Sequence, residues 1–524
     1  MAPEDDIRNA APWPRAGWTS RSAAELARLI AAGETTSREV VEAHLARIHE
    51  VNGRINAVVE LFEDSALRAA DEADAARARG DALGPFHGVP ITIKECFHVA
   101  GSHSTLGFTH RTKVTNQRDG LLVERLRRAG AILLGKTNVP QAMLMHETDN
   151  PVFGPTRNPW NLERTSGGSS GGEAAIIAAG GSPLGLASDL GGSIRTPAHF
   201  CGLVGIKPTS RCVSTRGTQR NLRGMETIQF QPGPLARSVD DLELMLRGVV
   251  GGPPRRDDSQ TVPGPLPRSA EVEVAKLRIG WWDDDGAFPA SAAVRRAVRE
   301  AAQRLESAGL QVARIDPPDM AHGLQLYCGI LSADGGADLR ALLGGSNADR
   351  RISEMLRTAG WPAAMRRVVA SLLRTAGDLR RAELLLATGP RTADEYWQLT
   401  RAATVFRRRF GDRLEQEGID IVLAPPFALP AFPHGLGNRV LAAGSYAFLA
   451  NLLDAPAGVV PVTRVRENEQ NERPASRDSV MQAAAQTDEG SAGLPVGVQV
   501  IGRPWREDQV LAVMRLLWPD AAEG

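Results

Sequence analysis

The chain has 524 residues, with 61 basic and 61 acidic side chains and a formal net charge of zero. A nucleic-acid-binding protein normally carries a basic patch or stripe, so this balance argues against that class of partner. At 42% hydrophobic and 23% charged residues, the composition is that of a globular protein long enough to bury a large core.

Targeting and redox signals are weak in this sequence. The N-terminus carries Glu4, Asp5 and Asp6 where a signal peptide would be basic, and no run approaches about 18 apolar residues. The sequence therefore predicts a soluble, cytoplasmic protein.

The cysteines show neither a CxxC pair nor a clustered His/Cys spacing, which argues against a disulfide framework or a zinc site. They are Cys96, Cys201, Cys212 and Cys328.

The first 80 or so residues predict helices. Ser22 with Glu25, and Thr36 with Glu39, have capping-box spacing ahead of apolar-periodic stretches. From residue 88 the apolar residues alternate with others, which predicts a strand ending at Lys94. Further strands are predicted at 131–134, 184–187, 203–206, 419–423, 459–462 and 496–501, and helices at 121–129 and 239–246. This alternation indicates an α/β protein.

No linker divides the chain cleanly, and two stretches read as surface loops. Residues 251–267 are rich in Pro and Gly, and residues 466–493 are polar with few large apolar side chains. The region from 291 to 418 predicts arginine-rich helices, interpreted as solvated helix faces rather than as a contact with an anionic membrane.

Lysine is rare here: only five of the 61 basic residues are lysine. Lysine can lose its proton when buried, whereas a guanidinium effectively never does. Lys94, in an apolar strand, is therefore a candidate for proton chemistry. The alternative is that arginine does not fit there sterically.

Two serines lie in glycine loops within residues 165–197. These are Ser169, in a GGSSGG loop, and Ser193, which follows Gly191 and Gly192 after a predicted strand. Glycine lets the backbone approach a substrate closely, and converging N–H groups are what an acyl-transfer oxyanion requires. The alternative is that these glycines only turn tight corners.

Three other motifs have weaker support. Residues 167–171 match the G-x-S-x-G nucleophile elbow, but that elbow needs a strand running directly into the serine, and the preceding stretch 158–164 is polar and turn-like. Residues 130–137 match a phosphate-binding loop, but their variable positions form an apolar strand, which argues against nucleotide hydrolysis and makes Lys136 structural. His199 lies nearest the serine loops and lacks an orienting carboxylate in sequence.

At these residues the sequence resembles the amidase signature family of serine hydrolases. The matching segments are 88–95 (GVPITIKE), 135–140 (GKTNVP), 150–160, the glycine and serine segment, 200–209 (FCGLVGIKPT) and 493–502 (GLPVGVQVIG). Residues 138–209 look most similar to the fatty-acid-amide-hydrolase-like branch. The resemblance implies one large α/β domain over 1–524, with a mixed, twisted central sheet covered by helices on both faces. It also implies core segments at about 60–250 and 418–515 and a variable helical substrate-pocket region at about 291–417, whereas the flexible loop at about 466–493 is predicted from its polar composition.

The resemblance implies a Ser/cis-Ser/Lys triad. Ser193 matches the nucleophile, Ser169 the bridging serine after a cis peptide bond, and Lys94 the base. The oxyanion hole is expected from the N–H groups of Leu190, Gly191, Gly192 and Ser193. Ser170, Asp189 and Arg195 match positions that orient the loops, and Met143 is expected to line the acyl pocket.

The implied function is hydrolysis of a carboxylic amide to an acid and an amine, with no metal or organic cofactor. The same triad would cleave an ester, a carbamate (urethane) or an aryl amide. A less favoured alternative is an amidotransferase A-type subunit, which would need partner subunits. The expected partner is a small-molecule amide, with no nucleic acid and no membrane span, and the family expectation is a monomer or a homodimer.

Overall fold

The computed structural model describes residues 11–14, 16–250, 258, 260–262 and 266–518. The strands are β1 Val58–Leu61, β2 Pro90–Lys94, β3 Ile132–Thr137, β4 Arg157–Asn158, β5 Asn161–Thr165, β6 Leu184–Asp189, β7 Val204–Lys207, β8 Gln231–Ala236, β9 Arg278–Trp281, β10 Gln311–Arg314, β11 Ile421–Ala424, β12 Ala457–Arg464 and β13 Pro495–Gly502. The helices are α1 Ala23–Ala32, α2 Ser37–Ile55, α3 Glu63–Ala78, α4 Leu121–Arg128, α5 Gly171–Ala178, α6 Arg195–Cys201, α7 Val239–Met245, α8 Ala292–Ser307, α9 Met320–Leu331, α10 Ala337–Leu343, α11 Arg350–Ala359, α12 Ala363–Thr375, α13 Leu379–Ala387, α14 Ala393–Gln416, α15 Ser445–Leu452, α16 Ser479–Asp488 and α17 Glu507–Leu517.

An eleven-stranded sheet forms the centre of the molecule, in the order β1-β3-β2-β6-β8-β7-β12-β13-β11-β9-β10. Strand β2 is parallel to both of its neighbours, β3 and β6, whereas β8 is antiparallel to β6 and β7. The sheet is therefore mixed, as predicted. Strands β4 and β5 form a separate hairpin.

Both faces of the sheet are buried, which explains the uninterrupted apolar runs of its central strands. In β3, Ile132 and Leu134 join one hydrophobic cluster, which also contains Leu45 of α2. Leu133, between them, points into a second cluster on the other face. The fold is thus the predicted single α/β domain with helices flanking a mixed sheet.

The two predicted helix starts are found, with different caps. At α2, the Thr36 side chain accepts from the Glu39 N–H (3.1 Å) while the Glu39 carboxylate accepts from the Thr36 N–H (3.2 Å), a complete capping box. At α1, Ser22 accepts from the Glu25 N–H (3.1 Å), but the Glu25 carboxylate bonds Arg21 instead. Ser22 is therefore a simple N-cap.

Four strands of the central sheet were not predicted: β1, β8, β9 and β10. Strand β8 (QPGPLA) contains Pro232 and Pro234, which normally argue against a central strand. Both prolines lie beyond the ladder with β7, which reaches only Leu235 and Ala236, so β6 is their one strand neighbour. On the side of β8 that faces away from β6, no strand of the described structure pairs with the two prolines, so their lack of an N–H group costs no ladder hydrogen bond there.

The polar stretch 466–493, predicted to be a flexible surface loop, contains helix α16. Asp478 caps this helix by accepting from the Val480 N–H (2.9 Å), and Val480 and Ala483 are buried against the core. Short apolar side chains at helical spacing supply the buried face, so the prediction was wrong for residues 479–488. Most of the other predicted loop, 251–267, lies outside the described residues.

Region 291–418 is largely helical, as predicted, from α8 to α14, but β10 adds a strand at the edge of the sheet. Most of its arginines are solvated, whereas Arg366 is buried. The division of the chain into a core and a substrate-pocket region stays a prediction. Within the described residues, no helix combines the length and apolar character needed to cross a bilayer.

Candidate active site

The site lies where two parallel strands end side by side. Lys94 is the last residue of β2, and Asp189 is the last residue of β6. The ladder pairs Thr92 with Gly185 and Ile93 with Leu186, so both carboxyl ends reach the same edge of the sheet. Loops that follow neighbouring parallel strands meet at such an edge, which is a common place for a site in α/β proteins.

Lys94 is fully buried, and its ammonium group has three acceptors. Nζ donates to the Ser169 Oγ (2.8 Å), to the Ser188 Oγ (2.9 Å) and to the Ser188 backbone carbonyl (3.2 Å). Burial lowers the pKa of Lys94 from 10.5 to about 8, against the opposing influence of Cys96, Asp189 and Glu173. An amine with this pKa is neutral in an appreciable fraction of molecules near neutral pH.

Ser169 lies in the loop before α5, and the Gly168–Ser169 peptide bond is cis, as the resemblance implied. Gly168 has no room for a side chain, since a Cβ would lie 2.3 Å from the Met145 carbonyl oxygen. In the same loop, the Ser170 Oγ donates to the Ser188 carbonyl (3.2 Å). The loop is therefore packed tightly against the end of β6.

Ser193 adjoins this pair through the main chain: the Ser170 N–H donates to the Ser193 carbonyl oxygen (3.2 Å). In the described part of the chain, no hydrogen bond joins the hydroxyls of Ser169 and Ser193. The relative exposures are 0% for Lys94, 2% for Ser169 and 9% for Ser193. Of the three, Ser193 is the side chain that a molecule entering from solvent reaches first.

The loop that carries Ser193 is fastened by a buried ion pair. The Arg195 guanidinium donates to both carboxylate oxygens of Asp189 (2.9 and 3.1 Å), and both side chains are fully buried. Burial alone would raise the pKa of Asp189, but Arg195 and two backbone N–H groups hold it well below its ordinary value. Arg195 also donates to the Ala447 carbonyl (2.7 Å) and to the Asn451 side chain (2.6 Å).

The expected oxyanion hole included the Gly192 N–H, which in the structure is one of these two donors to Asp189. The Gly192 N–H donates to the Asp189 Oδ1 (2.8 Å), and the Ile194 N–H donates to Oδ2 (3.0 Å). The Gly192 donor is therefore used by the carboxylate and does not face a substrate. Among the described residues, the N–H groups of Leu190, Gly191 and Ser193 have no hydrogen-bond acceptor.

The sequence and the fold are similar to those of known proteins. A family model described as Amidase matches residues 39–511. The chain belongs to the amidase family. Fatty-acid amide hydrolase 1 of Sus scrofa is 36% identical over 94% of this chain and 84% of its own length. The A-type subunit of the glutamyl-tRNA(Gln) amidotransferase of Salinispora arenicola is 33% identical over 95% of this chain and 97% of its own. A solved structure of a fatty acid amide hydrolase superposes with a TM-score of 0.83 and 29% identity, covering 96% of this chain and 86% of that one.

Two contacts of this amidase's site were not found from the sequence. Ser188 supplies two of the three acceptors of Lys94, and a polar residue directly before Asp189 at a strand end was the available signal. Tyr327 of α9 donates through its hydroxyl to the Leu190 carbonyl (3.2 Å), while its ring stacks on Phe448 (centroids 4.1 Å apart, planes at 4°). Nothing in the sequence linked Tyr327 to a loop 137 residues earlier.

Gly191 is small for a visible reason. A Cβ at this position would lie 2.1 Å from the Tyr327 hydroxyl oxygen, so a larger residue would push α9 away from the loop. The helical region thus reaches the serine loop through one aromatic side chain. This contact ties the shape of the loop to the packing of α9.

Met143 is buried on a turn where both Ala142 (φ 57°) and Met143 (φ 56°) adopt the left-handed conformation. Such a conformation is uncommon for residues other than glycine and needs support from the surroundings. The Asn221 side chain supplies part of it by donating to the Ala142 carbonyl. The role of Met143 in lining an acyl pocket stays a prediction.

The competing motifs have other uses in this amidase. Strand β5 ends at Thr165, short of Ser169, so no strand runs directly into that serine as an elbow requires, although 161–165 is a strand and not the expected turn. Residues 132–137 are the buried strand β3, and the Lys136 Nζ bonds the Ser104 hydroxyl (2.9 Å) and the His103 carbonyl. Lys136 is therefore structural, as predicted.

His199 also has a structural role. Its Nδ1 accepts from the Gly497 N–H (2.8 Å), its Nε2 lies 3.0 Å from the Leu429 carbonyl, and burial lowers its pKa to about 4. Both ring nitrogens are thus used in packing α6 against β13 and the segment that follows β11. In the described ranges, no group of three or more His, Cys, Asp or Glu side chains is arranged to hold a metal ion. The four cysteines are buried and free.

Proposed function

We propose that this amidase hydrolyses the amide of an acyl group through an acyl-enzyme on Ser193, with Ser169 as the proton bridge and Lys94 as the base. The observation that carries the proposal is the 2.8 Å hydrogen bond between the buried Lys94 Nζ and the Ser169 Oγ. A general base must stand within hydrogen-bond reach of the proton it takes and must be able to lose its own. Lys94 meets both conditions.

The first step is a relay of two protons. The Ser193 hydroxyl gives its proton to the Ser169 oxygen, Ser169 gives its own to the neutral amine of Lys94, and the Ser193 oxygen bonds to the carbonyl carbon. Lys94 then holds an ammonium, for which Ser169 and Ser188 supply acceptors. In this proposal the Ser193 hydroxyl bonds the Ser169 oxygen once substrate is bound, because catalytic hydrogen bonds commonly tighten only in that complex.

The negative charge of the tetrahedral intermediate needs donors that are not already engaged. The N–H groups of Leu190, Gly191 and Ser193 fit this requirement, whereas that of Gly192 is held by Asp189. The ion pair of Asp189 and Arg195 fixes the loop before substrate arrives. Donors fixed in this way stabilise the developing charge without reorganising during the reaction.

The leaving amine takes a proton from Ser169, which regains one from the Lys94 ammonium, and the carbon–nitrogen bond breaks. Water then attacks the ester carbon of acylated Ser193 and passes its proton through Ser169 to Lys94. The carbon–oxygen bond to Ser193 breaks, the serine regains a proton by the same relay, and the acid leaves. Within each half of the cycle, the proton that Lys94 takes up is given back, to the leaving amine in the first half and to Ser193 in the second.

A fatty acyl amide is the first substrate class to test, because the relative from Sus scrofa is named for that activity. Esters, carbamates and aryl amides pass through a similar oxyanion and belong in the same assay. The match to an A-type amidotransferase subunit favours a second candidate, release of ammonia as part of a larger assembly. That function predicts little turnover of amides by the purified chain.

The nucleophile is tested by labelling with a fluorophosphonate and mapping the adduct by mass spectrometry. We expect the adduct on Ser193 in the wild type, none in Ser193→Ala, and unchanged labelling in the exposed control Ser65→Ala. An adduct on Ser169 in Ser193→Ala would instead support the nucleophile-elbow interpretation. A second assay measures hydrolysis of a series of acyl amides by the purified chain. Turnover supports the amidase function, and little turnover supports the amidotransferase component.

A further inference from the structure

A second carboxyl group lies beneath the proposed base, and the steps above leave it unused. Glu173 of α5 is fully buried. Its Oε1 accepts from the Thr92 hydroxyl, and its Oε2 accepts from the Thr137 hydroxyl (2.7 Å). Thr92 lies two residues before Lys94 on β2, and Thr137 pairs with Lys94 across the ladder with β3. The carboxyl is thus held by the two strands that position Lys94.

The sheet leaves space for this carboxyl at Gly185 of β6. A Cβ at this position would lie 1.7 Å from the Glu173 Oε1 and 2.4 Å from its Cδ, so even alanine would displace the carboxyl. Glycine inside a strand weakens the strand and often marks the close approach of another group. The position of Glu173 is therefore supported by three neighbouring strands.

A buried carboxylate is normally paired with a cation, and Glu173 has only hydroxyl partners in the described structure. Helix α5 packs against β1, β2, β3, β6, β8, α2 and α6. The ionisable groups buried or half-buried on these elements are Glu60, Lys94, Lys136, Asp189, Arg195, His199, Cys201, Arg38, His44 and Arg47. Of these, Lys94 is the group whose charge lowers the pKa of Glu173.

Glu173 is also the neighbour of Lys94 whose charge can change near neutral pH. Burial raises the pKa of Glu173 to about 7. Asp189 stays ionised and is balanced by Arg195, and burial raises the pKa of the Cys96 thiol to about 11. Of the three groups that raise the pKa of Lys94, Glu173 is therefore the one that titrates near neutral pH.

The hydroxyl network accommodates both forms of the carboxyl. When Glu173 is ionised, both threonines donate to it. When it is neutral, its O–H can donate to the Thr137 Oγ, whose own hydroxyl then turns to the Ile93 carbonyl (3.4 Å). Neither form leaves a buried polar group without a partner, which is the usual cost of such a change.

We propose that Glu173 is a positioning residue of this amidase: by gaining or losing one buried negative charge beside Lys94, it sets the pH at which Lys94 becomes a base. The inference rests on the proposed role of Lys94. Ionised Glu173 favours the Lys94 ammonium, and neutral Glu173 favours the free amine. Loss of the negative charge therefore extends the active range to lower pH.

Glu173→Gln tests this, because the amide has the shape of the neutral acid and never ionises. We expect the acidic limb of the kcat/KM profile to move down by about one pH unit, the scale of a nearby opposite charge. The pH dependence of the fluorophosphonate labelling rate should move equally, since it reports activation of Ser193 without amide turnover. Glu95→Gln is the matched control: Glu95 is also buried beside Lys94 but bonds the Leu106 N–H (3.1 Å), and its limb should not move.

A limb that stays in place or moves up in Glu173→Gln overturns the proposal, as does an equal downward movement in Glu95→Gln. If Glu173→Gln does not fold, Thr137→Val removes one donor to the carboxylate, should raise the pKa of Glu173, and should move the limb the same way. Thr137→Ser should restore the wild-type profile. A Lys94→Ala variant that still shows the wild-type limb refutes the role of Lys94 itself, which distinguishes that failure from a failure of the Glu173 proposal.

Discussion

Replacement of Lys94 by arginine separates proton chemistry from charge. With a pKa of about 8, roughly one Lys94 in ten is neutral at pH 7, against about one in 3,000 at the ordinary value of 10.5. Burial thus increases the fraction of molecules with a neutral Lys94 at pH 7 about 300-fold. Arginine keeps the charge and the donors but does not deprotonate. Since a general base contributes about 10²–10⁴-fold, we expect Lys94→Arg to lower kcat/KM by at least about 100-fold.

The assay is hydrolysis of a chromogenic amide between about pH 5.5 and 9.5. Wild-type log kcat/KM should rise with pH up to about pH 8 and then level off. Lys94→Arg and the smaller Lys94→Ala should be slow and should lack this limb. Lys136→Arg is the matched control. Lys136 is equally buried, but its Nζ bonds Ser104 and not Ser169 or Ser193. A Lys94→Arg enzyme within tenfold of wild type, or one with an intact limb, would refute the reasoning.

Two further substitutions test the loop that carries Ser193. Asp189→Asn leaves the Arg195 charge buried without its partner, so we expect a loss of about 3–5 kcal/mol in urea unfolding, against less than about 1 kcal/mol for the exposed control Glu34→Gln. A stability loss no larger than that of the control would contradict the structural role of the pair. Tyr327→Phe keeps the ring stack but removes the hydrogen bond to Leu190, so kcat should fall about three- to tenfold with Tm nearly unchanged. If kcat is unchanged in Tyr327→Phe, the hydrogen bond from α9 to the Leu190 carbonyl does not affect catalysis by the serine loop.

Most of the strands that could be predicted have apolar side chains in continuous runs, whereas β2 was predicted from alternation. Strand β6 was found because both of its faces are buried: Leu186 and Ala187 belong to clusters on opposite sides of the sheet. Strand β8 was missed because its residues, two prolines among them, are poor strand formers. It exists because β6 and β7 flank it, which is tertiary context that no local pattern records.

The site divides in the same way. The lysine and the two serines could be proposed from motifs, since each lies in a distinctive local sequence. Ser188 faces Lys94 only because β2 and β6 pair in parallel with a particular register. The use of the Gly192 N–H by Asp189 depends on how one loop folds back on itself. Contacts of this kind follow from register and loop geometry, which spacing along the chain does not determine.

The five lysines show why burial by itself does not identify a base. Lys113 and Lys276 are exposed, whereas Lys94, Lys136 and Lys207 are fully buried. Burial lowers the pKa of Lys207 to about 8 as well, yet its Nζ bonds the Pro208 carbonyl, which has no proton to give. The pKa of Lys136 is also lowered by burial, and its contacts hold a loop.

Lys94 differs from the other buried lysines in one contact, a hydroxyl on the loop that meets Ser193. A low pKa makes an amine able to accept a proton, and the neighbouring atom decides whether there is a useful proton to accept. An arginine-rich chain that keeps three buried lysines thus uses lysine partly as a compact buried donor. We expect proton chemistry only at Lys94, where the buried amine faces the Ser169 hydroxyl in the loop that contacts Ser193.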